Sequence, residues 1–128
     1  MSKSFTYGLT HVALVVKDVD ASIAFYDKIF GVKVMYRNPG FGQIQTIGSN
    51  DIIVFEENPD KLNLIGTSGG ILHLGFRLRK AADLDKVVAR IIDAGGKIID
   101  KGEFCPGEPY VFFKDPDGYE IEIWYELM

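Results

Sequence analysis

Apolar and polar residues follow two different periods along this chain, and the sequence of periods occurs twice. The stretch HVALVVKDVDAS alternates every second residue from His11, as a half-buried strand does. Val19, Ile23, Tyr26 and Phe30 then fall on one helical stripe, which predicts a helix near 20–30 with Asp18 or Asp20 as cap and Gly31 as stop. Three short strands are expected near 32–37, 43–47 and 52–57. From His73 the order repeats. HLGFRLRKAADLD opens as a strand, and Leu84, Val87, Val88, Ile91 and Ile92 mark an amphipathic helix near 83–94, starting after Asp83 and ending at Gly95-Gly96. Strands near 97–101, 110–114 and 119–125 follow. Pro39-Gly40 and Pro106-Gly107 stand at matching points of the two halves.

The pattern therefore predicts an α+β fold of two βαβββ modules, about 8–60 and 70–126, within a single domain over 1–128. The polar, Gly-containing stretch Asn58–Gly70 links them. Each helix covers one face of a mixed four-stranded sheet, so the helices lie outside and the two free faces form an open cup. Strand parity says what lines those faces. Leu72, Leu74, Phe76 and Leu78 form the helix-facing side of the fifth strand, and His73, Gly75 and Arg77 the other. In the last strand Ile121, Ile123 and Tyr125 face the helix, while Glu120, Glu122 and Trp124 share the open face. His11, Ala13 and Val15 are the matching set in the first strand.

Composition narrows the setting. The chain is 47% hydrophobic and 25% charged, enough for a packed core. A formal charge of −4 argues against nucleic acid as a partner, since phosphate neutralisation needs a basic patch. No apolar run reaches the roughly 18 residues of a membrane span, and MSKSFTYGLTH lacks the apolar centre of a signal peptide. Cys105, the single cysteine, has no partner for an internal disulfide and suits a reducing compartment. A cytoplasmic protein is expected.

Both of the chain's histidines thus sit at equivalent points of the repeat, on faces that also carry carboxylates. Glu120 and Glu122 are roughly 7 Å apart along one strand face. Two such carboxylates ionise together only near a cation, either a divalent metal or the Arg77 guanidinium. Neutral imidazole with carboxylate oxygen suits Zn, Ni, Mn, Co or Fe. Asp115-Pro116-Asp117-Gly118 reads as a tight turn that sets strand register. Cys105 has no neighbouring His to make it a nucleophile.

HVALVVKDVDASIAFYDKIFGVKV, ILHLGFRL and FFKDPDGYEIEIW together resemble the vicinal oxygen chelate superfamily, which includes glyoxalase I, extradiol dioxygenases, fosfomycin-resistance enzymes and bleomycin-binding proteins. The resemblance covers about 8–126 and implies the glyoxalase-like fold. It implies His11, His73 and Glu122 as metal ligands, selecting Glu122 over Glu120. It also implies a fourth ligand from the end of the fourth strand, in DIIVFEEN. Aligning the halves on their Pro-Gly pairs sets Phe55 opposite Glu122, which leaves three ligands; one deleted residue sets Glu56 there, which gives four. The expectation leans to Glu56, because a carboxylate buried against a helix without a partner is costly. The resemblance further implies a homodimer whose sites combine the first half of one chain with the second half of the other.

On this reading the chain is a divalent-metal enzyme for a small substrate with vicinal oxygens. Isomerase or lyase chemistry, with Glu122 or Glu56 as base, is favoured over ring cleavage, since no third histidine is present. Arg37, Arg77 and Lys114 are candidate anion contacts. The alternative is a protein that binds a drug or metabolite without chemistry, stacking a planar ligand on Tyr110, Phe112 and Trp124. Specificity is expected in the loops Arg37–Gly42 and Gly102–Pro109.

Overall fold

The structure, a computed structural model, describes residues 3–67 and 69–127; Ser68, within the expected linker, lies outside the described residues. The first module runs β1 (His11–Val15), α1 (Val19–Phe30), β2 (Val32–Asn38), β3 (Phe41–Thr46) and β4 (Ile52–Glu56). The second runs β5 (Leu74–Arg77), α2 (Leu84–Asp93), β6 (Lys97–Glu103), β7 (Pro109–Lys114) and β8 (Glu120–Trp124). The sheets are ordered β1-β4-β3-β2 and β5-β8-β7-β6. In each, the edge strand pairs parallel to the last strand and the other pairs are antiparallel. The expected fold class is the one observed.

The repeat extends to irregularities. A bulge interrupts β2 between Val34 and Tyr36, and another interrupts β6 between Ile98 and Asp100, at the same register against β3 and β7. Met35 and Ile99, the residues skipped there, project into solvent.

Helix α1 forms where its caps allow, whereas Asp83 makes no side-chain capping bond at the start of α2. Asp18 accepts from the Ala21 N–H at 3.1 Å, and Gly31, at φ 72°, ends α1 by donating to Asp27 O. A 3-10 turn, Ala81–Asp83, leads into α2. Another 3-10 helix, Pro59–Leu64, occupies the stretch expected to be plain linker, with Asn58 as its cap. Two positions expected on apolar faces are solvent-exposed. Leu72 precedes β5 instead of lying in it, so no sheet fixes its side, and Ile92 falls at the margin of the α2 stripe.

One core joins the two halves. Phe25, Tyr26 and Ile29 of α1 are buried beside Ile44 and Phe55 of their own sheet and Phe113, Ile121 and Ile123 of the other. Phe30 stacks on Phe76 of β5 with ring centroids 4.0 Å apart. Lys28 pairs with Asp93 at 3.1 Å, which ties the ends of α1 and α2 together. With the apolar faces turned to this shared core, the opposite faces of both sheets stay open.

The Asp115–Gly118 turn does more than set register. Asp115 accepts the Tyr26 hydroxyl at 2.8 Å on one oxygen and the N–H groups of Asp117 and Tyr119 on the other. Asp117 accepts the Lys17 N–H at 3.0 Å, and Tyr119 donates to Val15 O at 2.7 Å. The turn therefore clasps the start of α1 and the end of β1 from the other module. Burial pushes the Tyr26 hydroxyl well up from its ordinary pKa, and the adjacent Asp115 charge adds to this. Burial also raises the Asp115 carboxyl, against the lowering effect of the hydrogen bonds it accepts. No helix among the described residues is long and apolar enough to cross a membrane.

Candidate functional site

Alternation along the strands puts the chemistry on the open faces. In β8, Ile121 and Ile123 are buried in the core, so Glu120, Glu122 and Trp124 turn away from it. In β7, Val111 and Phe113 are buried, so Tyr110 and Phe112 join them. His73, immediately before β5, reaches the same face: its Nε2 lies 3.2 Å from Glu122 Oε1. The Glu122 side chain is only 12% exposed, whereas that of His73 is 31% exposed. The His73 ring meets Phe112 edge-on at 5.1 Å.

The aromatic side chains form a continuous ladder from that pair to the rim. Phe112 contacts Tyr110 edge-on at 5.5 Å, and Tyr110 stacks on Phe104 at 4.1 Å. The Tyr110 hydroxyl donates to Asp100 at 3.0 Å, and this bond raises its pKa. Trp124 packs against Gly75, where a Cβ would come within 2.8 Å of the indole. Phe104 was not legible as part of this surface, because an aromatic in a Gly/Pro loop carries no strand parity.

His11 begins β1, exposed on the open face of the first sheet with Ala13 beside it. His11 and His73 both line a cleft of about 370 Å³ that also includes Leu9, Asp51 and Ile53. Among the described residues of one chain, no three His, Cys, Asp or Glu side chains gather closely enough to hold a metal ion. One chain thus pairs His73 with Glu122, while His11 shares only the wider cleft with His73.

Strand register corrects the alignment of the two halves. Val16 N donates to Glu56 O and Leu78 N to Trp124 O, so Val16 corresponds to Leu78 and His11, five residues earlier, to His73. Ala13 then pairs with Val54 as Gly75 pairs with Glu122. The counterpart of Glu122 is Val54, and that of Trp124 is Glu56. The Pro-Gly alignment misleads because Glu108 and Pro109 are extra after the second Pro-Gly pair, whereas the β3–β4 connection is one residue longer than β7–β8, which leaves a net shift of one residue. Phe55 is fully buried and packs on Tyr26 at 5.2 Å, so it faces no site. Glu56 is exposed on the open side of β4; the cost of burying it, which favoured it as a ligand, does not arise.

Two of the candidate anion contacts, Arg77 and Arg37, have partners of their own. Arg77 donates to Glu126 O at 3.1 Å. Arg37 pairs with Asp20 at 3.0 Å. Lys114 sits across the strand pair from Glu120. The Cys105 thiol donates to Glu108 at 2.8 Å, which raises its pKa and opposes thiolate formation.

A profile of the Glyoxalase/Bleomycin resistance protein/Dioxygenase superfamily matches residues 8–123. The chain is 33% identical to the uncharacterized protein PA2024 of Pseudomonas aeruginosa over 91% of this chain and 87% of that one. Among solved structures it resembles a glyoxalase/bleomycin resistance protein/dioxygenase family enzyme from Burkholderia phytofirmans, at a TM-score of 0.79 and 25% identity, covering 93% of this chain and 98% of that one. It also shares the fold of the fosfomycin resistance protein FosX of Listeria monocytogenes, solved with Mn(II) and sulfate, at a TM-score of 0.79 and 20% identity, covering 97% and 94%.

Proposed function

The chain belongs to the glyoxalase/bleomycin resistance protein/dioxygenase superfamily, and we propose that it is a divalent-metal-dependent enzyme of that group acting on a small substrate with vicinal oxygens. The observation that carries this reading is the approach of His73 Nε2 to Glu122 Oε1 on an open sheet face. An imidazole nitrogen and a carboxylate oxygen placed side by side suit neighbouring ligands of one divalent ion. His11, on the open face of the other sheet, supplies the third ligand. On this reading, as the family resemblance implies, His11 comes from a second copy, and the active form is a homodimer. Three ligands, and not four, agree with Val54 at the counterpart of Glu122. Ni, Zn, Co, Mn and Fe all accept such donors.

When bound, the ion supplies Lewis acidity toward two adjacent substrate oxygens. The protein's own residues do the rest. Glu122, sheltered beside His73, acts as the base that takes a proton from carbon next to a substrate carbonyl. Glu56, exposed on the facing sheet, is a second carboxylate for proton exchange. Tyr110, Phe112 and Trp124 give an apolar wall that orients the substrate and excludes water, and Arg77 stands at the Trp124 end of it. Isomerase or lyase chemistry is preferred to ring cleavage, since the chain has no histidine beyond His11 and His73 to serve as a separate acid. A cytoplasmic setting fits the single thiol of Cys105.

The aromatic ladder from Phe104 to Phe112 favours one other reading, a protein that binds a planar molecule without transforming it. Metal analysis of the purified protein decides between them. Stoichiometric divalent metal, lost in His73→Ala and in Glu122→Gln, supports the enzyme. A metal-free protein that takes up no Mn, Ni or Zn on titration sinks it.

A further inference from the structure

Among the described residues, the most solvent-exposed large apolar side chains are Phe5, Tyr7 and Leu9, at 101%, 100% and 96%. They alternate with Ser4, Thr6, Gly8 and Thr10, the pattern of a strand that has an apolar side to bury. In the single chain, residues 3–10 belong to no strand, and their backbone tie to the fold is Thr10 O, which accepts from Ile52 N at 3.0 Å. Ser4, Thr6 and Gly8 hydrogen-bond among themselves. Gly8, at φ 84° with open space around it, is a bend from which the arm can swing.

A second exposed apolar group stands next to the other histidine. Ile71 and Leu72, directly before His73, are 60% and 79% exposed. They wall a groove of about 310 Å³ whose floor comes from Val12–Val15 of β1 and which His73 and Glu120 also line. The chain's own arm does not fill this groove, since its side chains remain in water. Isolated chains thus carry an unfilled apolar groove and an unburied apolar arm, each adjoining one of the two histidines.

We infer that the arm of one copy seats in the groove of a second copy, placing Tyr7 and Leu9 against Ile71 and Leu72 beside the partner's His73. The exchange is mutual, so the contact is self-complementary and closes at two chains. Residues 5–9, when extended, span roughly 15 Å, enough to cross such a groove. The arm then forms one wall of the candidate site, and that site is incomplete in a single chain. This inference concerns the assembly and stands whether or not an ion binds.

Sedimentation of the full chain and of the triple variant Phe5→Ser, Tyr7→Ser, Leu9→Ser tests it. The parent is expected at about twice 14.3 kDa. The variant is expected to dissociate at protein concentrations at least tenfold higher, with an unchanged circular dichroism spectrum because these side chains lie almost wholly in water within the chain. A monomeric parent, or a variant that pairs as tightly, overturns the inference. In a Cys105→Ser background, oxidised Tyr7→Cys with Leu72→Cys should give a covalent dimer. A cross-link within one chain, or none, overturns it as well. Metal content measured on the same samples separates the two readings: a metal-free dimer joined through its arms leaves this inference standing and removes the metal site.

Discussion

Tyr26 and Asp115, 89 residues apart in the chain, share a buried hydrogen bond of 2.8 Å in which the phenol donates to the carboxylate. Tyr26 belongs to the first module's helix and Asp115 to the turn before the second module's last strand. The bond is therefore a joint between modules as well as a way to satisfy two buried polar groups.

Tyr26→Phe removes the donor and leaves the ring. Asp115 keeps its backbone N–H partners but loses a charge-assisted bond in a buried place. The expected cost is about 1.5–3 kcal/mol, read as a lower urea midpoint with an unchanged slope. A midpoint equal to the parent's would mean that water or a neighbour replaces the phenol at no cost.

Alkaline pH should weaken the fold. Burial raises the pKa of Tyr26 and Tyr119, and the bond to Asp100 raises that of Tyr110. Such groups contribute stability that is complete below the unfolded value, about 10, and is lost as pH rises through the folded values. Above that point the unfolded chain releases protons that the folded chain retains, so unfolding becomes easier. Denaturation midpoints measured from pH 8 to 11 should fall at the upper end, and less steeply in Tyr26→Phe. A flat profile would contradict the burial of Tyr26 and Tyr119.

Gly66 faces Asp117 so closely that a Cβ would lie 2.3 Å from its carbonyl oxygen, and its φ is 75°. Gly66→Ala forces the linker off the clasping turn and adds backbone strain. A loss of about 2 kcal/mol or more is expected in thermal or chemical denaturation. A neutral outcome would mean that the linker does not press on the turn.

Gly75 leaves the space that the Trp124 indole occupies. Gly75→Ala must displace the indole, and because Trp124 is the only tryptophan its fluorescence reports the change. The emission maximum should move while the helical circular dichroism signal stays. An unaltered spectrum would place the indole elsewhere.

Glu56→Gln and Glu122→Gln separate the two candidate carboxylates. Glu122→Gln should weaken Mn(II) binding by more than the roughly 10–100-fold that changes around a ligand cost. Glu56→Gln should leave the affinity within about threefold, because Val54 and not Glu56 occupies the counterpart of Glu122. Calorimetric titration measures both. Equal losses in the two variants would restore a four-ligand site.

Period and parity along the chain were enough to divide core from open face wherever a residue lies inside a strand or helix. Ile121 and Ile123 point in, and Glu122 and Trp124 point out, because a strand alternates strictly and only one of its faces can leave water. The repeat, the helix caps and the position of His11 and His73 at equivalent strand openings are local or periodic properties, so they are readable without coordinates. Outside regular elements that logic stops: Leu72 lacks a sheet to fix its side, and Phe104 joins the aromatic ladder from a loop. Which residue of β4 corresponds to Glu122 depends on hydrogen bonds between distant strands, and the addition of Glu108 and Pro109, partly offset by a shorter β7–β8 turn, shifts the apparent alignment without disturbing the sheet. The Tyr26–Asp115 joint and the clasp of Asp117 on Lys17 depend on how one module docks on the other, where contact is set by packing of whole faces and leaves no period in the sequence.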